Sequence, residues 1–234
     1  MENILDWAKA RGYRSGENPA RWKGYLNQIL PAVAKKDRVI HHKAMPFPQV
    51  GEFLSRLREM PGVASRCLEL TILTAARTNE ATQAKPEEFN LDSSTWTIPG
   101  SRMKAKKEHR VPLSPRALEI VRDLLDLKGE YLFPSAKQGK PISNMAMLKL
   151  LERMGVDATT HGFRSSFRDW ASERTSYPHE VCEMALAHAI SNTAEAAYRR
   201  GDLFEKRRKL MDAWADFIDT PHQAGSVLPM RNAA

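Results

Sequence analysis

Residues 102 to 110 read Arg102-Met103-Lys104-Ala105-Lys106-Lys107-Glu108-His109-Arg110, five Lys or Arg side chains against one carboxylate. Such a tip suits phosphate, because fixed cations beside a polyanion release its condensed counterions. Standing alone, it reads as a solvated turn. Thr160-His161-Gly162-Phe163-Arg164 sets a histidine and an arginine three positions apart. On a helix this spacing brings them to one face, near the positive amino end where an anion is favoured. The competing reading is an exposed helix start with an incidental pair. Leu186-Ala187-His188-Ala189 places a lone histidine at the end of an apolar stretch, where a hydrogen-bonded core or cap residue is the commoner role. Taken together, these groups suit the chemistry of a phosphodiester. Its non-bridging oxygens gain negative charge toward the transition state, so the site needs fixed cations, and arginine's planar fork holds two oxygens without titrating.

A scaffold must hold these groups, and 234 residues with 42% hydrophobic side chains suffice for one sizeable domain plus a small appendage. The net charge of +8 and pI near 9.6 favour a polyanionic partner without establishing one. No run of about 18 apolar residues is present to span a bilayer. The opening Met1-Glu2-Asn3-Ile4-Leu5-Asp6 lacks the charged-then-apolar order of a secretory signal. A cytoplasmic, nucleoid-associated protein without membrane contact is expected. Cys67 and Cys182 stand alone in apolar helical patterns, outside any metal-ligand spacing, and read as small core residues. His41-His42 lacks neighbouring ligands that would make a metal site.

Helical periodicity predicts two short helices, Glu2 to Arg11 and Pro19 to Leu30, then an aperiodic linker over 39–48 with a domain boundary near Phe47. Helices follow over Gln49 to Met60 and Val63 to Thr74. Short strands are expected at Phe89 to Leu91, Trp96 to Ile98 and Arg110 to Leu113, the first two joined by the turn Asp92-Ser93-Ser94. Ser114-Pro115 supplies an N-cap and a first-turn proline for a helix to about Leu127, with Leu118, Val121 and Leu125 on its core stripe. Four more helical stretches are expected: Asn144 to Met154, His161 to Glu173, Pro178 to Ala187, and Asp202 to Phe217. The last shows an apolar stripe of Leu203, Leu210, Trp214 and Phe217, read as packing on its own core. The expected fold class is α+β, mainly α-helical with a small three-stranded antiparallel sheet.

In order along the chain, these pieces resemble the catalytic domain of tyrosine recombinases, particularly the integrases of prophages and genomic islands. Thr74-Ala75-Ala76-Arg77-Thr78-Asn79-Glu80-Ala81 is similar to that family's first arginine box. Lys104 precedes Val111-Pro112-Leu113 as its hairpin lysine does, and His161 with Arg164 matches its His-x-x-Arg box. His188 and Ala196-Ala197-Tyr198-Arg199-Arg200-Gly201-Asp202 complete the set. The likeness runs from about residue 18 to residue 218. The family usually has glycine where this chain has Asn79, which suggests a positive-φ turn after Arg77 that asparagine can adopt.

The resemblance implies a reaction that cuts and rejoins DNA through a 3′-phosphotyrosine bond, with neither metal nor nucleotide cofactor. Tyr198 is implied as nucleophile, Arg77 and Arg164 as phosphate clamps, and His161 as the group that takes or shares the tyrosine proton. Lys104 is implied as donor to the leaving 5′ oxygen, His188 as a hydrogen-bonding partner of a phosphate oxygen, and Glu80 as an orienting group. Arg102, Lys106, Lys107, Arg110 and Arg168 are expected to contact DNA. The implied partners are double-stranded attachment sites, further copies of the chain in a tetramer on DNA, and host DNA-bending and excisionase proteins. The domains expected are 1–38 as the carboxyl-terminal remnant of a DNA-clamping domain, 39–48 as linker, 49–220 as catalytic domain and 221–234 as a flexible tail. Three alternatives remain at this point: a type IB topoisomerase, which shares the chemistry, a non-catalytic DNA-binding remnant, and a metal-dependent nuclease, for which the chain lacks a carboxylate cluster of suitable spacing.

Overall fold

The computed structural model of the chain describes residues 1–30, 42–188 and 201–220. It divides into two compact units, 1–41 and 42–234. The expected tail over 221–234 and residues 39–41 of the expected linker fall outside the described residues.

In the first unit, helix α1 (Glu2–Ala10) buries no side chain. Asn18 holds it, donating from Nδ2 to the Glu2 carbonyl at 2.9 Å and to Asp6 Oδ1 at 2.7 Å. The expected continuous helix from Pro19 to Leu30 is not formed. Gly24 takes φ of 82° inside the wide turn Trp22–Leu26, leaving only the short α2 (Asn27–Ile29) after it. Glycine enters that region without the Cβ clash that bars other residues, so periodicity lost to local backbone freedom.

The second unit is built around α4 (Val63–Thr74), whose Cys67, Leu68, Leu70, Ile72 and Leu73 are all buried. A helix apolar on every side needs neighbours all round. These are α3 (Val50–Arg58), α5 (Thr78–Thr82), α6 (Pro115–Leu125), α7 (Ala146–Arg153), α8 (Gly162–Arg174) and α10 (Phe204–Asp219), while α9 (His179–Ala185) packs on α8 and α10. One buried carboxylate on α4, Glu69, ties α3 and α6 to it. Arg58 Nε donates to it at 2.6 Å and Arg116 Nε at 2.8 Å. Burial works to raise the pKa of Glu69, but its bonds from Arg116 and Arg58 outweigh that and hold it below the ordinary carboxylate value.

Strands β1 (Phe89–Asn90), β2 (Thr95–Ile98) and β3 (His109–Pro112) form an antiparallel sheet in that order, with Trp96 opposite Val111 and Ile98 opposite His109. The mainly helical α+β class with a small three-stranded sheet is therefore as expected. Ser114 caps α6, its Oγ accepting from the Ala117 N–H. The buried stripe of α6 differs from expectation. It consists of Ala117, Ile120, Val121 and Leu124, with Leu118 and Leu125 half-buried at its edge. On α10 the stripe turns inward as read, with Leu210 and Trp214 fully buried and Trp214 Nε1 donating to the Ile72 carbonyl at 2.9 Å. Both cysteines are buried free thiols. Among the described residues, no helix is long and apolar enough to cross a membrane.

Candidate functional site

The site begins where α4 ends. Ala75 adopts the left-handed conformation, φ 50° and ψ 29°, and turns the chain so that Arg77 opens the short α5. The positive-φ position thus precedes Arg77. Asn79 lies within α5 instead, so the turn expected there is corrected: a helical residue needs no glycine-like φ. Glu80 accepts from Arg77 twice, at 2.8 Å from the backbone N–H and at 2.8 Å from Nη1. The other guanidinium nitrogen, Nη2, donates to the Ala187 carbonyl at 3.2 Å and more distantly to that of Leu186.

Arg164 reaches the same place from the first turn of α8. It is 5% exposed, and it donates from Nη1 to the Ala75 carbonyl and from Nη2 to the Leu186 carbonyl at 2.7 Å. Burial, with Arg77 beside it, pulls its pKa down to about 10, which leaves it charged at neutral pH. His188 follows the left-handed Ala187 at the end of α9, with Nε2 3.3 Å from Arg164 Nη2. The two arginines and His188, far apart in sequence, thus converge on the Leu186–Ala187 turn.

His161 sits at the amino end of α8 with its ring edge against His42, centroids 4.6 Å apart. Residues 43–45 lie across that helix start. The Lys43 carbonyl accepts from the Thr159 N–H at 2.9 Å, and Ser166 Oγ donates to the Met45 carbonyl. Gly162 permits the approach, since a Cβ there would stand 2.0 Å from the Lys43 oxygen. Burial, then Arg164, His42, Arg77 and His188, lower the pKa of His161, so the ring is neutral at neutral pH and able to accept a proton. A cleft of about 710 Å³ is lined by Arg77, Glu80, Lys104, Lys106, Asn144 and His161, among others.

The basic stretch divides into two sets. Lys104, Lys106 and Lys107 are exposed and form no ion pair among the described residues. Arg102 turns inward, its guanidinium on Glu88 and on the Glu80 carbonyl, while Trp96 Nε1 also donates to Glu88 at 2.9 Å. Arg110 forks onto Asp202 at 2.8 and 3.0 Å and lies over the Phe204 ring. Arg168 donates to Glu183 Oε1 at 2.6 Å. Tyr198 lies outside the described residues.

Residues 29–203 match the Phage integrase family. The chain belongs to that family. Among integrase relatives, it is 36% identical over 172 residues to the prophage integrase IntA of Escherichia coli (strain K12), covering 71% of this chain and 41% of that protein. It is 34% identical over 201 residues to the integrase of Enterobacteria phage P4, covering 76% and 46%. The chain thus spans less than half the length of these two relatives. The fold matches an integrase from mycobacterium phage Brujita with a TM-score of 0.57, at 19% identity, over 95% of this chain and 71% of that one. It matches a lambda integrase dimer bound to a COC′ core site with a TM-score of 0.57, at 17% identity, over 86% and 57%.

The candidate site gathers Arg77, Glu80, Arg164 and His188 in one network, with Lys104 and His161 along the cleft. Three neighbours carry no signal of their own in the sequence. Asn144 lines the cleft but reads in sequence as a helix start. His109 is half-buried near Arg77 and Glu80, hidden in sequence by the basic run around it. Glu183 touches His188 but sits in an ordinary amphipathic helix, one Glu among several.

Proposed function

We propose that this chain is the DNA-cutting and rejoining part of a site-specific recombinase that integrates or excises a mobile element through a 3′-phosphotyrosine intermediate. The supporting observation is the convergence of Arg77, Arg164 and His188 on one turn beside a cleft that holds Lys104 and a neutral-leaning His161. In this reading Tyr198 Oη attacks phosphorus and the bond to the 5′ oxygen breaks. His161 takes the tyrosine proton and Lys104 supplies one to the leaving oxygen. Arg77 and Arg164, immobilised on main-chain carbonyls, offer their remaining N–H groups to the charge that grows on the non-bridging oxygens. Glu80 keeps Arg77 in its rotamer, and His188 hydrogen-bonds a phosphate oxygen. Rejoining reverses the step, with a 5′ hydroxyl displacing the tyrosine, so the bond energy is conserved.

Of the residues expected at DNA, Lys106 and Lys107 suit phosphate contact as they stand. Arg102, Arg110 and Arg168 each first serve an acidic partner. By likeness to lambda integrase, solved as a dimer on a core site and as a tetramer on a Holliday junction, the partner is double-stranded DNA and the working assembly a tetramer on it. Host DNA-bending and excisionase proteins complete the set of proposed partners.

The test is covalent trapping on a nicked DNA substrate, at high protein concentration and low salt, for this chain and for a version extended upstream. Tyr198→Phe abolishes the protein–DNA adduct and leaves DNA binding nearly unchanged. Arg77→Ala and Arg164→Ala each slow adduct formation by about 3 kcal/mol of transition-state stabilisation. Lys104→Ala is partly rescued when sulfur replaces the leaving oxygen, because a thiolate leaves without a proton. An extended wild type that forms no adduct, or an adduct that survives Tyr198→Phe, overturns the reading.

A further inference from the structure

Glu183 has no role in the reaction just described, yet among the described residues it makes the closest side-chain contact that His188 has. Its Oε2 lies 2.7 Å from His188 Nδ1, and the His188 backbone N–H donates to the Glu183 carbonyl at 3.0 Å. Ring and main chain are therefore tied to one residue a helical turn away. Behind it, Arg168 Nε donates to Glu183 Oε1 at 2.6 Å, and the Arg168 guanidinium also reaches Ser172 Oγ. His179 Nε2 stands 3.7 Å from the same carboxylate, beyond hydrogen-bond length.

The other ring nitrogen of His188 faces Arg164. A guanidinium has donors and no acceptor, so the 3.3 Å contact between Arg164 Nη2 and His188 Nε2 is made by a lone pair on Nε2. That requires the ring proton on Nδ1, where an ionised Glu183 receives it. The carboxylate is held below its ordinary pKa: burial opposes ionisation, and the hydrogen bonds to His188 and Arg168 overcome it.

Resting on the recombinase reading, we infer that Glu183 is a positioning residue: it fixes His188 as the Nδ1–H tautomer and aims Nε2 at the phosphate, with Arg168 holding the carboxylate in place. Before DNA binds, Nε2 accepts from Arg164. When a phosphate oxygen replaces that contact, Nε2 takes a proton from solvent and donates it in a hydrogen bond, and the Glu183 carboxylate stabilises the resulting imidazolium. No bond to the substrate passes through Glu183. It acts through His188, as a buried carboxylate orients a histidine in other enzymes. Arg168 is thereby a support of the site, and its guanidinium is committed before any DNA arrives.

Two measurements test this. In protein labelled with ¹⁵N-histidine, two-bond nitrogen–proton correlation reads the tautomer of each ring, and a His188→Asn variant identifies the His188 signals. The wild type is expected to show His188 protonated on Nδ1, and Glu183→Ala to shift it toward Nε2–H. In the trapping assay at saturating DNA, Glu183→Ala and the near-isosteric Glu183→Gln are each expected to slow adduct formation roughly 10- to 100-fold, the scale seen for outer partners of functional histidines, while Kd for DNA changes less than about twofold. Glu183→Gln retains the side-chain volume, so it reports on the charge even if the alanine variant is poorly folded. An Nε2–H His188 in the wild type, a tautomer indifferent to Glu183→Ala, or wild-type adduct rates in both variants overturns the inference. If the wild type forms no Tyr198 adduct, the recombinase reading fails, and the tautomer experiment still decides whether Glu183 governs His188.

Discussion

Single residues around this site carry environments that their sequence neighbours do not announce. His109 opens β3 inside a run of basic side chains, yet burial, then the charge of Arg207, pushes its pKa down to about 4, against the pull of Glu80 and the Ala185 carbonyl. The folded chain therefore keeps His109 neutral at a pH where the unfolded chain, with a pKa near 6.5, binds a proton. Stability from this residue is intact above about pH 6.5 and is lost progressively as pH falls toward 4, by up to roughly 3 kcal/mol. Urea unfolding of the wild type and of His109→Gln at pH 7 and pH 5 measures it. The wild type is expected to lose more stability than the variant between the two, and parallel losses refute the assignment. The interval lies above the titration of Glu69, Glu183 and Asp202, all of which have lowered pKa values. Asn79 teaches the same lesson in reverse: the residue type fits a left-handed turn, but the chain spends that conformation four residues earlier, at Ala75.

At the level of the elements, the loop joining β2 and β3 is where composition misleads. Arg102, Lys106 and Lys107 look equivalent in sequence, but the arginine closes a buried ion pair with Glu88 under the site, while the lysines face outward. Their substitutions should separate. Changing Lys106 and Lys107 together to Ala is expected to weaken DNA binding and to reduce the slope of log K against log salt by roughly 2, about one unit for each phosphate left without its lysine. Arg102→Ala leaves Glu88 buried without its cation and is expected to cost about 3 kcal/mol of folding stability. A salt series of DNA Kd values and a denaturant titration check the two halves. A salt slope in the lysine variant equal to that of the wild type moves the DNA surface elsewhere, and an Arg102→Ala chain as stable as wild type removes the buttress.

For the molecule as a whole, the site's charge comes from arginines delivered by α5 and α8 onto a turn after α9. Cleavage and rejoining by the proposed reaction are accordingly expected to persist in excess chelator. Abolition by chelator with restoration by magnesium, read in the trapping assay, would favour a metal-dependent nuclease instead. Much of this protein was legible in its linear order. The alternation of apolar residues marked the helices of the larger unit and its three strands, because burial imposes a period of 3.6 or 2 on any chain that folds that way. The order of Arg77, Lys104, His161, Arg164, His188 and Tyr198 marked the family, since those residue types are what phosphodiester transfer needs. What the order left open is which side chains are already engaged. Whether Arg102, Arg110 and Arg168 meet solvent or a carboxylate, and whether Glu183 is one more helix-surface acid or the partner of His188, depends on contacts between residues that sequence separates. Glu88 lies 14 positions from Arg102, and Asp202 lies 92 from Arg110. Hydrogen bonds and ion pairs act over a few ångströms of space, and only the packing of α8 and α10 on α4, with β3 and α9 against α10, brings such pairs within reach.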